Sequence, residues 1–78
     1  MPRYYLHIRD EGRLVEDPDG SELPDLGAAH AEALEGARII LAAKVRAGEL
    51  IGNQHFEITD EAGTVLAIVP VKTALKVT

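Results

Sequence analysis

Pro24-Asp25-Leu26-Gly27-Ala28-Ala29-His30-Ala31-Glu32-Ala33-Leu34-Glu35-Gly36-Ala37-Arg38-Ile39-Ile40-Leu41-Ala42-Ala43-Lys44-Val45-Arg46-Ala47-Gly48 is the stretch on which the fold turns. Alanine and straight-chain residues dominate it and no proline interrupts it after Pro24, so its composition favours a helix. Asp25 is placed to accept hydrogen bonds from free amides of the first turn, and its charge complements the positive end of the dipole. Lys44 and Arg46 fall in the last turn, where cations are favoured, and Gly48 suits a left-handed stop. The spacing predicts a helix over Leu26–Ala47. At about 100° per residue, Leu26, His30, Ala33, Leu34, Ala37, Ile40, Leu41 and Val45 share one stripe, with Glu32, Glu35 and Arg46 opposite.

On either side of this helix the period changes from 3.6 to two. Arg3-Tyr4-Tyr5-Leu6-His7-Ile8-Arg9 alternates, with Tyr4, Leu6 and Ile8 on one side and Arg3, Tyr5, His7 and Arg9 on the other. Asp10-Glu11-Gly12 supplies a turn, and Arg13-Leu14-Val15-Glu16 returns as a short second strand. Asp17-Pro18-Asp19-Gly20 is a second turn, because proline presets φ and aspartates bond nearby amides. After Gly52-Asn53, residues 54–60 alternate as a third strand, with Phe56 and Ile58 apolar and His55, Glu57 and Thr59 polar. Glu61-Ala62-Gly63 connects it to Thr64-Val65-Leu66-Ala67-Ile68-Val69, a fourth strand stopped by Pro70. For residues 71–78 the pattern leaves a short helix and an extension equally open.

The expected fold is therefore α+β, a single domain over residues 1–78 with an ordered core of about residues 3–70. Its order is ββαββ. A crossover helix makes strands two and three parallel, and strand one fits between them, which predicts a four-stranded antiparallel sheet of order 2-1-3-4. One helix covers one face. The other face carries Arg3, Tyr5, His7, Arg9, His55, Glu57 and Thr59, plus one side of strand four, either Val65, Ala67 and Val69 or Leu66 and Ile68.

The chain has 78 residues, a formal net charge of −5 and no cysteine, which excludes disulfides, thiolate metal sites and a thiol nucleophile. Residues 10–25 hold seven of the thirteen acids against one base, Arg13, so this segment carries more than the whole net charge. An acidic chain without a basic stripe lacks the electrostatic attraction that dominates nucleic-acid affinity, which argues against that partner class. The opening residues show no apolar signal region, and no apolar run approaches the roughly 18 residues of a membrane span. The expectation is a cytoplasmic protein without a membrane partner.

Three segments in this order resemble a known family: Met1-Pro2-Arg3-Tyr4-Tyr5, Glu22-Leu23-Pro24-Asp25-Leu26 leading into an Ala/Glu-rich helix, and Phe56-Glu57-Ile58-Thr59-Asp60-Glu61-Ala62-Gly63 ending near Pro70. The family consists of short uncharacterised alphaproteobacterial proteins catalogued as a domain of unknown function. The resemblance spans roughly residues 1–70. The chain departs from the family pattern at Tyr5 and Val71, where phenylalanine is common, and at Gly27 and His30. The resemblance implies a fold and a taxonomic range but no mechanism.

Among chemistry-bearing residues, His7 and His55 fall on adjacent strands of the uncovered face near Glu57, a conceivable two-histidine, one-carboxylate metal or acid/base site. The competing reading is a pair of solvated cross-strand histidines. His30, on the apolar stripe, reads as a half-buried packing residue. Residues 16–22 fail as an EF-hand, since placing Gly20 at the sixth position puts Val15 first and Leu26 twelfth, where carboxylates are required. Ser21 lacks a glycine-flanked elbow, and Gly48-Glu49-Leu50-Ile51-Gly52 lacks the Lys and Ser/Thr of a phosphate loop. Tyr5 lacks the paired aromatics and basic setting of an RNA-binding sheet. The leading expectation is a non-catalytic interaction or regulatory module without cofactor that forms a homodimer, with Tyr5, Val65, Leu66, Ile68 and Val69 as interface candidates. Residues 10–25 are a candidate docking segment for a protein partner. The alternative is a small metal-dependent enzyme or ligand binder using His7, His55 and Glu57.

Overall fold

The computed structural model describes residues 1–75. Its elements are β1 (Arg3–Asp10), β2 (Arg13–Val15), β3 (Ser21–Glu22), α1 (Leu26–Ala47), β4 (His55–Thr59), β5 (Val65–Pro70) and a 3-10 helix (Val71–Ala74). The sheet order is β2-β1-β4-β5, every pairing antiparallel, with the helix on one face. This is the expected α+β arrangement with one strand more. The added strand, β3, pairs Ser21 with Tyr4 and Glu22 with Arg3, on the same edge of β1 that β2 occupies further along. Two residues are too few to show a period, so the alternation gave no sign of it. The 3-10 helix resolves the alternatives left open beyond Pro70: Val71 is buried, and its N–H donates to the carbonyl of Gln54 at 2.9 Å. Residues 76–78, the end of that stretch, lie outside the described residues.

Both helix ends are built as their residues suggest. The Asp25 carboxylate accepts from the Ala28 amide at 2.8 Å. Gly48 is left-handed at φ 71°, and the Gly48 and Glu49 amides donate to the Val45 and Lys44 carbonyls at 3.1 and 2.9 Å. These two bonds form a Schellman closure.

The buried helix face keeps the middle of the expected stripe and departs from it at Leu26, Ala29, His30 and Val45. Ala29, Ala33, Ala37 and Leu41 point into the core, with Leu34 and Ile40 on its shoulders. His30 is exposed, as are Leu26 and Val45, which corrects the reading of His30 as a packing residue. The physical reason lies in the sheet. Tyr4, Phe56, Ile58 and Val69 supply the bulk of the core, so the helix face opposite them is small and approaches closely. At Gly36 a Cβ would stand 3.0 Å from the Phe56 ring.

Candidate functional site

Strand alternation sends Leu6, Ile8, Phe56 and Ile58 toward the helix and places Tyr5, His7, Arg9, His55, Glu57 and Thr59 together on the opposite face. The register sets His7 against Glu57, Arg9 against His55 and Tyr5 against Thr59. All of the polar residues expected on this face are there, but their hydrogen bonds divide them into two groups.

In the first group Arg9 Nε and His55 Nε2 both bond Glu57 Oε2, at 3.0 and 3.1 Å. The Glu57 side chain is 14% exposed. The hydrogen bond from Arg9, followed by that from His55, holds the Glu57 carboxyl below the usual glutamate range, against an opposing effect of burial. This is a charge-satisfied cluster rather than a carboxyl poised to exchange protons near neutrality.

The second group joins His7 to the turn expected at residues 17–20. Between β2 and β3 the chain runs as a strap beside β1, and its hub is Asp17. Oδ2 of Asp17 accepts the Leu6 amide at 3.2 Å, standing in for a strand partner where neither β2 nor β3 reaches. Oδ1 accepts the Gly20 amide at 3.2 Å. The Asp17 amide donates to Nδ1 of His7 at 2.9 Å, and Arg3 Nη1 donates to the Asp19 carbonyl at 2.9 Å. Because Nδ1 accepts, the neutral imidazole carries its proton on Nε2, which lies 3.3 Å from Thr59 Oγ1. His7 therefore donates toward the Thr59 hydroxyl, and in this tautomer it has no lone pair with which to activate that hydroxyl as a nucleophile.

His7 thus has both nitrogens engaged away from Glu57, while His55 is engaged with it. Among the described residues no group of three His, Asp or Glu side chains stands close enough to hold a metal ion. Asp17 and Thr59 are the residues of this face that sequence reasoning did not single out for a role at His7. The only prior signal for Asp17 was its place in an Asp-Pro-Asp-Gly turn.

The remaining candidates lie at the β5 margin. Phe56 pairs with Val69 and Ile58 with Ala67, so Val69 faces the helix and is 1% exposed. It is a core residue, which removes it from the interface candidates. Ile68 points outward and is 58% exposed. The register shifts so that Thr59 opposes Val65, leaving Leu66 as the extra residue of a β-bulge. The bulge returns Val65 to the same face as Ile68, and neither of the two rows expected from strict alternation describes this strand. Val65 and Leu66 are 48% and 41% exposed.

Among the described residues, the cavities that open on the surface include two of differing character. A polar one of about 290 Å³ separates the strap from the β4–β5 turn, with Tyr5 and His7 at its floor and Glu16, Asp17, Asp60 and Glu61 at its sides. An apolar one of about 620 Å³ lies far from these residues, between the C-terminal half of α1 and the 3-10 helix. Among the described residues no helix is long and apolar enough to cross a membrane.

No curated protein and no solved structure matches the chain. The family comparison does match, over residues 3–72, from the first residue of β1 into the 3-10 helix. The chain belongs to the family described as Domain of unknown function (DUF6894).

Proposed function

We propose that this protein is a non-catalytic interaction module that self-associates through β5 and the apolar margin of the open sheet face. The reading is carried by one observation: β5 is an outermost strand, without a charged residue, whose Val65, Leu66 and Ile68 are exposed. Edge strands are ordinarily blunted with charge or cover, because their unpaired backbone groups are a template for another strand. On β5 two features interfere with pairing, the bulge at Leu66 and Pro70 at its end, and the stretch between them, Ala67–Val69, is left free of both. A second copy supplies a matching uncharged edge, and antiparallel pairing of two β5 strands about a two-fold axis continues the sheet from one copy into the next. The need for support agrees, since a single core below roughly 80 residues rarely contributes more than about 3–5 kcal/mol.

Sedimentation equilibrium tests the reading. The expected result is a dimer for the wild-type chain and a folded monomer for Ile68→Lys, which places a charge on the outer face of β5 without touching the core. A wild-type monomer at high protein concentration overturns it. Val69→Lys is unsuitable as a probe because Val69 is buried and the substitution attacks the fold itself.

A further inference from the structure

We propose that His7 is a pH-sensitive latch that pins the acidic strap to β1 when neutral and releases it when protonated. The argument is one of donors and acceptors. Nδ1 of His7 accepts the Asp17 amide at 2.9 Å, and an imidazolium has no acceptor left to offer. On protonation an N–H faces an N–H, and the contact changes from attraction to repulsion. Imidazole is the side chain whose ordinary chemistry makes this change between pH 5 and 8.

The latch residue is tied to the rest of the strap through Asp17. The same residue that donates to His7 accepts the Leu6 and Gly20 amides through its carboxylate. The charged and titratable groups around the ring are what an imidazolium would meet. From the strap come Asp17 and Glu16, and from the β4–β5 turn Asp60 and Glu61, which line the same cavity. Across the sheet His7 opposes Glu57, already bonded to Arg9 and His55. On its own strand the Tyr5 ring stacks with centroids 6.1 Å apart, and β5 brings only apolar residues to this face. An imidazolium thus has carboxylates on two sides and an opposed backbone donor in front. The Asp17 carboxylate lines the same cavity, and turning toward His7 takes it from the Leu6 and Gly20 amides. The strap is held at its other contact by Arg3 on the Asp19 carbonyl, so release begins at Asp17.

The test is nuclear magnetic resonance on the full chain, following the His7 ring nitrogens together with amide exchange protection at Leu6, Asp17 and Gly20, corrected for intrinsic rates. At neutral pH the ring nitrogens should report a proton on Nε2 and a lone pair on Nδ1. Protection of the three amides should fall by about tenfold as His7 protonates, with the same midpoint as the ring. His7→Asn keeps an acceptor at the position of Nδ1 that does not titrate, and should hold the strap amides protected throughout. His7→Phe should leave them unprotected throughout. Strap amides that stay protected while the wild-type ring titrates overturn the proposal. So does a His7→Asn protein that loses protection over the same pH range, which assigns the transition to the carboxylates.

Discussion

Gly20 stands at φ 68°, and a Cβ there would lie 2.9 Å from both the Tyr4 carbonyl oxygen and the Tyr5 ring. The backbone conformation and the contact both forbid a side chain, so the strap turns against β1 only because residue 20 is glycine. Gly12 is also left-handed, at φ 81°, but a Cβ there meets nothing within 4 Å. Gly12→Ala should therefore cost only the backbone strain of about 1–2 kcal/mol. Gly20→Ala should cost more, since the carbonyl it strikes belongs to the sheet. Urea midpoints of the two variants check the order, and equal losses would show that the strap is not seated on Tyr4 and Tyr5. Glu57 makes a second prediction at this scale. Its carboxyl is held below the usual range by Arg9 and then His55, so the ionised form stabilises the folded chain above the ordinary glutamate value. That contribution is lost as the pH falls through the lowered value. Wild type should exceed Glu57→Gln in stability at neutral pH, and the gap should narrow from roughly pH 5 downward. Parallel denaturation curves between neutral and acid pH measure it, and a constant gap would assign the effect to packing.

The helix shows where pattern reading succeeds and where it stops. Its ends follow from Asp25 and Gly48, because capping is chemistry between neighbours in sequence. Its buried face follows only in part: Ala33, Ala37 and Leu41 lie on the expected stripe, but alanine carries so little hydrophobic weight that Leu26 and Val45 pull the apparent stripe away from Ala29. What decides the face is the sheet, whose large side chains leave room for small ones. Gly36 makes this testable. On an isolated helix Gly→Ala stabilises by about 1 kcal/mol. Here the new methyl meets a Phe56 ring that is itself buried, so Gly36→Ala should destabilise, as thermal melts will show. A gain in stability would mean that the helix has slack to retreat from the sheet. In the same way, β1 and β4 were legible from alternation, whereas two-residue β3 was too short to alternate and the β5 bulge broke the period it was read by.

For the whole molecule, the helix and the core lie to one side of the sheet, and the other side divides into a polar portion and an apolar margin. The polar portion is internally satisfied by Asp17, His7, Thr59, Arg9, Glu57 and His55. The β5 margin is not, and there the self-association proposed above has a consequence for stability. If folding and pairing are linked, the melting temperature should rise with protein concentration for wild type and stay constant for Ile68→Lys. A concentration-independent melt for both would separate β5 from the stability of the fold. Which β1 and β4 residues share the open face was legible in the sequence, since side chains alternate along a strand and the apolar row of each turns to the helix. The helix boundaries and the order of the four strands β2-β1-β4-β5, though not the presence of β3, were also legible, because they depend on residues close in sequence and on the handedness of a single crossover. Only the tertiary structure decided that Asp17 occupies the gap on β1, that His7 thereby carries its proton on Nε2, and that Val69 turns inward while Val65 and Ile68 turn out. Each of these depends on contacts between segments distant in the chain or on one bulged residue, and no local period records either.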